Sequence, residues 1–275
     1  MIAILDYGAG NLRSVQNALE AIGCEYSLVR DAAGLRSASK ILLPGVGHFG
    51  QMMRALDALE VRDALIERIA AGVPFLGICL GLQALFDASE EAPEVRGLGI
   101  FEGIVRRFPA HARVPHMGWN ELELRGESKL LRGFGASGPG SDQSHDRQGV
   151  VPADRAKSPG PGASSSTPRF EATGKLLAGA APPGGSDQSH DHSDQSHDRK
   201  GVVPVDRAKS SPRARPFVYF AHSYYAPEGD YASAVCAYEV PYTAALEVGN
   251  VYGVQFHPEK SGAIGLAIVR NFVEC

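Results

Sequence analysis

The chain is poor in the residues that would cross-link it or draw it to a polyanion. Its four cysteines, Cys24, Cys79, Cys236 and Cys275, stand far apart among 275 residues, and no CxxC pair occurs. That spacing argues against a disulfide framework and against a structural zinc site, and it suits a reducing compartment. Basic residues do not outnumber acidic ones: 27 Lys and Arg face 31 Asp and Glu, for a net charge of −4. Bulk charge therefore gives no reason to expect a nucleic acid or a membrane surface as partner. The sequence has no run of 18 apolar residues and no basic start followed by an apolar segment. The expectation is a soluble, cytoplasmic protein. Neither glycine loop is a nucleotide signature. "LPGVGHF" lacks the Lys-Ser/Thr of a phosphate-binding loop, and "GAGN" around Gly8, Gly10 and Asn11 does not match a dinucleotide fingerprint.

One long stretch lacks aromatic residues almost completely. From 135 to 215, 81 residues carry 13 Ser, 11 Gly and 9 Pro, and Phe170 is the sole aromatic. The segment repeats itself: "SDQSHDRQGVVPADRAKSPG" begins at Ser141, "SDQSHDRKGVVPVDRAKSSP" begins at Ser193, and a truncated third copy, "GSDQSHDH", begins at Gly185. So few apolar groups cannot offset the entropy of ordering, and the segment reads as a disordered insertion. Its histidines, His145, His190, His192 and His197, have no cysteine or aromatic company and read as solvated rather than as metal ligands. The remaining 194 residues, 1–134 and 216–275, suffice for one domain.

What is present outside the insertion is an alternation. "MIAILDYG", "CEYSLVR", "KILLPGVG" and "VPFLGI" are apolar runs that end in turns. Between them lie "NLRSVQNALEAIG" and "MMRALDALEVRDALIERIAAG", with apolar residues at helical spacing. Strands alternating with helices predict an α/β fold with a mostly parallel central sheet flanked by helices. After Gly97 the pattern changes to shorter strands, expected to be antiparallel or mixed, and a last helix, "GAIGLAIVRNFVEC", closes the chain.

The chemistry is concentrated at "PFLGICLGLQALF", residues 74–86. Gly77-Ile78-Cys79-Leu80-Gly81 has the form of a nucleophile elbow with cysteine as nucleophile. A strand-to-helix turn that sharp brings the residues two before and two after close together, hence the glycines. An amphipathic helix expected after Leu80 would aim its N-terminal dipole at the sulphur and favour the thiolate. A nucleophile needs a base, and the base an orienting group. "QFHPEKS" supplies both: in an extended segment His257 and Glu259 share a side, so Glu259 can accept from one ring nitrogen and leave the other for Cys79. Gly45-Val46-Gly47 can turn backbone N–H groups toward an oxyanion.

Together, "DYGAGNLRSV", "LPGVGHFG", "GICLGLQ", "SEE", "PHMGWN", "YFAHSYY" and "QFHPEKSG" resemble the class I glutamine amidotransferases, in particular the glutaminase subunits of imidazole glycerol phosphate synthase. The resemblance covers residues 1–134 and 216–275, and the insertion departs from it. It implies a catalytic triad of Cys79, His257 and Glu259, an oxyanion hole from the N–H groups of Gly47 and Leu80, and glutamine binding by Gln83 and Glu91 on the helix after the elbow. It further implies that His116, Trp119, Tyr219 and Lys260 lie at or near the contact with a (β/α)8-barrel synthase (cyclase) subunit in a heterodimer. Ammonia released from L-glutamine would pass to that subunit, giving imidazole glycerol phosphate and AICAR in histidine biosynthesis, with no metal and no organic cofactor. In the family, the oxyanion loop is set only when the partner holds its nucleotide.

Other readings are a class I glutaminase serving a different synthase, such as the pyridoxal-phosphate pathway, a cysteine peptidase of similar fold, and an inactive scaffold for the barrel subunit. Intact Cys79, His257 and Glu259 disfavour the scaffold, and the HPE arrangement disfavours a peptidase. The strands around "GWNELEL" and "FVYFAHSYY" are expected to be neighbours, with Trp119 and His222 together at one end and the insertion leaving from the other.

Overall fold

The computed structural model describes residues 1–9, 11–134 and 215–275. The segment expected to be an insertion therefore lies, apart from Arg215, outside the described residues, as do its four histidines.

Five strands run parallel through the middle of the molecule: β1 (Ile2–Leu5), β2 (Tyr26–Val29), β3 (Lys40–Gly45), β4 (Phe75–Cys79) and, much later in the chain, β13 (Val251–Val254). The same sheet continues antiparallel through β12 (Val240–Val248), β11 (Ala232–Tyr238) and β8 (Glu123–Leu124), in the order β2-β1-β3-β4-β13-β12-β11-β8. Because β4 and β13 are adjacent and parallel, the ends of two segments 176 residues apart in sequence meet at the same end of the sheet. That adjacency builds the site.

The parallel strands are apolar at nearly every position because both faces of the sheet are covered. Alternation along each strand divides the side chains between two cores. Ala3, Leu5, Ile41, Leu43 and Phe75 face one, where α3 (Phe49–Ala58) and α4 (Arg62–Ala70) add Met52, Met53, Leu56, Leu65 and Ile69. Ile2, Ile4, Leu42, Leu76 and Ile78 face the other, with Val15 and Leu19 of α1 (Leu12–Ala21) and Ile268, Val269 and Phe272 of α6 (Gly262–Glu274). Burying each of the larger of these side chains is worth about 1.5–3 kcal/mol.

Two local outcomes refine the sequence expectations. The long pattern after Gln51 is two helices. Glu60 takes a left-handed conformation at φ 54°, Glu60 N–H donates to Asp57 O and Val61 N–H to Leu56 O. That is a Schellman stop built without glycine, so no residue type announced it. A short helix, α2 (Ala32–Ser37), also forms, its first turn held by Asp31, whose carboxylate accepts from Gly34 N–H at 2.7 Å.

Outside the main sheet, β5 (Phe86–Ser89), β6 (Phe101–Arg107) and β10 (Tyr224–Tyr225) form a three-stranded sheet. β7 (His116–Glu121) and β9 (Phe217–His222) form an antiparallel ribbon, as expected. Its register differs in one respect from expectation: His222 pairs with His116, while Trp119 pairs with Tyr219 three residues along. Glu121 and Phe217 close the far end, and the chain after β8 first buries Leu130 and Leu131 in the core before reaching residue 135.

Candidate active site

Cys79 is the last residue of β4, with φ 54° and ψ −106°, a backbone conformation that costs a non-glycine residue of order 1–3 kcal/mol. The glycines around it are required by sterics. A Cβ on Gly77 would overlap the carbonyl of Gly81, and one on Gly81 would overlap the carbonyl of Leu43 on β3. Register places Gly45 opposite Cys79, where an added Cβ would lie 2.7 Å from Leu80 Cβ and 2.8 Å from Gly81 N. Glycine therefore lets the oxyanion loop and the elbow approach each other.

The helix after the elbow, α5 (Leu80–Gln83), is a single turn of four residues, all buried. This corrects the expectation of an amphipathic helix: so short an element carries little dipole, and it has no solvent face. It also corrects the placement of Glu91, which lies in the turn after β5 rather than on that helix.

The three residues expected as a triad meet across the β4–β13 junction. His257 Nδ1 lies 2.9 Å from Glu259 Oε1, and the two side chains are 3% and 2% exposed. The segment is not extended through both: His257 is extended, but Glu259 sits in the 3-10 turn Pro258–Lys260, which curls the carboxylate back beneath the ring. Burial by itself pulls the His257 pKa down. Hydrogen bonding to the Cys79 sulphur and to Glu259, with the negative charge of both, outweighs it and raises the value to about 10. The imidazolium is therefore the favoured form of the ring near neutral pH.

Cys79, Leu80, Gln83, Val46, Gly47, Glu91, His222, Tyr224 and His257 line one cavity of about 170 Å³. Gly47, at φ 95°, has no heavy atom within 4 Å of where a Cβ would stand. Glu91 commits Oε2 to the N–H of Phe49 at the start of α3, 2.7 Å away. Gln83 uses both amide hydrogens internally, donating to Tyr224 O at 2.8 Å and to Gln255 Oε1 at 3.0 Å, which leaves its oxygen for the cavity.

The four residues expected at a partner contact do not stay together. Trp119 is 51% exposed and stacks parallel to Phe217, with centroids 6.5 Å apart. Tyr219 meets Trp119 edge-on, and Lys260 Nζ lies 5.8 Å from the Tyr219 ring. His116 is on the opposite face of β7, only 4% exposed and stacked between Phe220 and Tyr238, so burial denies it a direct role at a surface. Two residues beside Cys79 were given no role in the site from sequence. Gln255 donates to Cys79 Sγ at 3.6 Å, and His222 lines the cavity wall. The signal for Gln255 was its i, i+2 spacing from His257 beyond the end of a strand.

Comparison with known proteins agrees with this geometry. The family "Glutamine amidotransferase class-I" matches residues 3–147. The imidazole glycerol phosphate synthase subunit HisH of Deinococcus radiodurans is 37% identical over 98% of this chain and 92% of its own length. That of Methanothermobacter thermautotrophicus is 36% identical over 100% of this chain and 98% of its own. The chloroplastic imidazole glycerol phosphate synthase hisHF of Arabidopsis thaliana is 33% identical over 99% of this chain, which spans only 34% of that protein. Among solved structures, a crystal structure of a glutamine amidotransferase superposes with a TM-score of 0.58 at 16% identity, covering 99% of this chain and 97% of that one, a likeness of fold.

Proposed function

The chain belongs to the class I glutamine amidotransferases, among the glutaminase subunits of imidazole glycerol phosphate synthase, and on that premise we propose how its residues divide the work. It is the ammonia-donating subunit of that synthase in histidine biosynthesis and works with a cyclase subunit. We propose L-glutamine as substrate, a (β/α)8 barrel as the partner's fold in a heterodimer, the cytoplasm as the compartment, and no cofactor.

The observation that carries the reading is His257 held between Cys79 and Glu259. With the thiol proton on His257, the sulphur attacks the carboxamide carbon and the carbonyl π electrons move onto oxygen. N–H groups of Gly47 and Leu80 receive that oxyanion. His257 Nε2 gives its proton to the departing nitrogen, and ammonia leaves a glutamyl thioester. Water, deprotonated by His257, then displaces the sulphur to yield glutamate. Glu259 keeps the ring in one tautomer throughout. Glu91, with one carboxylate oxygen uncommitted to Phe49, and the oxygen of Gln83 would hold the substrate's ammonium group. The partner surface is the exposed face of the β7–β9 ribbon, Met117, Trp119, Phe217 and Tyr219, with Lys260 at its edge. The expectation that residues 135–215 form a separate, unstructured insertion belongs to the same proposal.

The test is glutamine hydrolysis by the chain alone and with the cyclase subunit and its nucleotide. Hydrolysis should be low alone, rise by orders of magnitude in the liganded complex, and vanish in Cys79→Ala. A diazo-ketone glutamine analogue should label Cys79 and spare Cys24, Cys236 and Cys275. Full activity in the isolated chain, or labelling of all four thiols, would contradict the reading.

A further inference from the structure

A thiolate at Cys79 needs stabilisation that the four-residue α5 supplies poorly, and the structure holds a different donor at the sulphur. Gln255, fully buried directly after β13, shares a side with His257, and the β4–β13 register brings it beside the elbow. Its Nε2 lies 3.6 Å from Cys79 Sγ.

The orientation of that amide follows from its neighbours. The carbonyl of Tyr224 can only accept, so the Gln83 group 2.8 Å from it is the NH2. The second hydrogen of that NH2 points at Gln255, 3.0 Å away, so Gln255 turns its oxygen to Gln83 and its own NH2 to the sulphur. The same carbonyl accepts from His222 Nδ1 at 2.9 Å, which assigns the His222 proton to Nδ1. Nε2 must then accept from Tyr242 Oη at 3.2 Å, and Tyr242 in turn accepts from His116 Nδ1 at 3.2 Å. Two runs of hydrogen bonds thus converge on the Tyr224 carbonyl, one from His116 through Tyr242 and His222, the other from Gln83, whose second hydrogen holds Gln255 with its NH2 toward the sulphur; turning the Gln83 or Gln255 amide over would leave a buried polar group unpaired.

We propose that Gln255 is a further catalytic residue of this site, its amide N–H stabilising the Cys79 thiolate, and that Gln83, with Tyr224 and His222 behind it, positions that amide. The proposal rests on Cys79 being the nucleophile, the reading given above. No bond to Gln255 forms or breaks. The thiol proton goes to His257, and the amide meets the charge left behind.

The experiment is alkylation of Cys79 in the full chain by iodoacetamide as a function of pH, followed by mass spectrometry, beside thermal melting of each variant. Gln255→Met keeps the volume and loses the donor. Its Cys79 should react about tenfold more slowly at pH 7, with the profile displaced toward alkaline pH, as for loss of one hydrogen bond to a charged group. Gln255→Glu should react more slowly still, because a carboxylate would face the sulphur. If Gln255→Met fails to fold, Gln83→Met, which frees the Gln255 amide without touching the sulphur, should give a smaller displacement in the same direction. A folded donor-less variant with the wild-type rate and pH profile would overturn the proposal. Failure of the nucleophile assignment would show separately, as hydrolysis surviving in Cys79→Ala.

Discussion

The backbone N–H of His257 donates to the carbonyl of Tyr219 at 2.9 Å, so the histidine proposed as the base is bonded directly to the exposed β7–β9 ribbon. The tie is double, because Tyr219 N–H donates to Ser261 Oγ at 3.0 Å, and Ser261 Oγ in turn donates to His257 O at 2.7 Å. A partner seated on the ribbon would therefore lie one hydrogen bond from the segment that carries His257.

Trp119→Ala should therefore separate binding from chemistry. Central aromatic residues in an interface cost 2 kcal/mol or more on truncation, so cyclase affinity should fall about thirtyfold or more. Slow hydrolysis by the chain alone should be unchanged, since Trp119 is not among the residues that line the cavity. Titration calorimetry against the cyclase subunit, beside a glutamate-release assay, reads both.

Strain at the elbow predicts an inverse effect on stability. Cys79→Gly removes both the thiol and the cost of φ 54° in a side-chain-bearing residue, whereas Cys79→Ala removes only the thiol. Both should be inactive, with the glycine variant more resistant to urea by about 1 kcal/mol, offset in part by unfolded-chain entropy. Gly81→Ala, whose Cβ would overlap Leu43 O, should lose several kcal/mol or fail to fold.

Acid should unfold the protein through its buried histidines. Burial lowers His222 to about 3, with the positive forms of His116 and His257 adding to the shift and the Tyr224 carbonyl opposing it. His116 is lowered by burial to about 4. In the unfolded chain both titrate near 6.5, so between that pH and about 4 the unfolded state binds more protons and stability falls as pH falls. Above pH 6.5 this contribution is complete. Urea melts across pH 4–7 should show proton uptake on unfolding, reduced by about one proton in His222→Phe.

Deletion of residues 135–214 with a short turn in their place should preserve folding and cyclase-dependent hydrolysis. Glu121 and Phe217 lie at the ribbon end opposite His116 and His222, and Leu130 and Leu131 are already buried before the deletion begins. Closure entropy changes by only about 0.6 kcal/mol per doubling of length. Limited proteolysis should cut the full chain first within this stretch. A folded deletion variant without activity would assign the segment a role.

Much of this protein was legible residue by residue, because the features concerned are local. Apolar periodicity marked the strands and the longer helices, Gly23 marked the end of α1 with its φ of 72°, and the glycines at 77 and 81 announced a turn too tight for a Cβ. The His257–Glu259 pair was readable from an interval of two, although a 3-10 turn rather than an extended strand brings the groups together. The break at Glu60 was not legible, since any residue can be forced left-handed when a Schellman stop and core packing over-determine it. Long-range relationships were decided by tertiary structure alone. The pairing of β4 with β13 sets Gln255 against Cys79, and the β7–β9 register buries His116 while it exposes Trp119. Sequence spacing carries no information on which distant strand will be the neighbour. That choice is made by the two cores, whose apolar faces can be closed on both sides of the sheet only when β13 completes the parallel row.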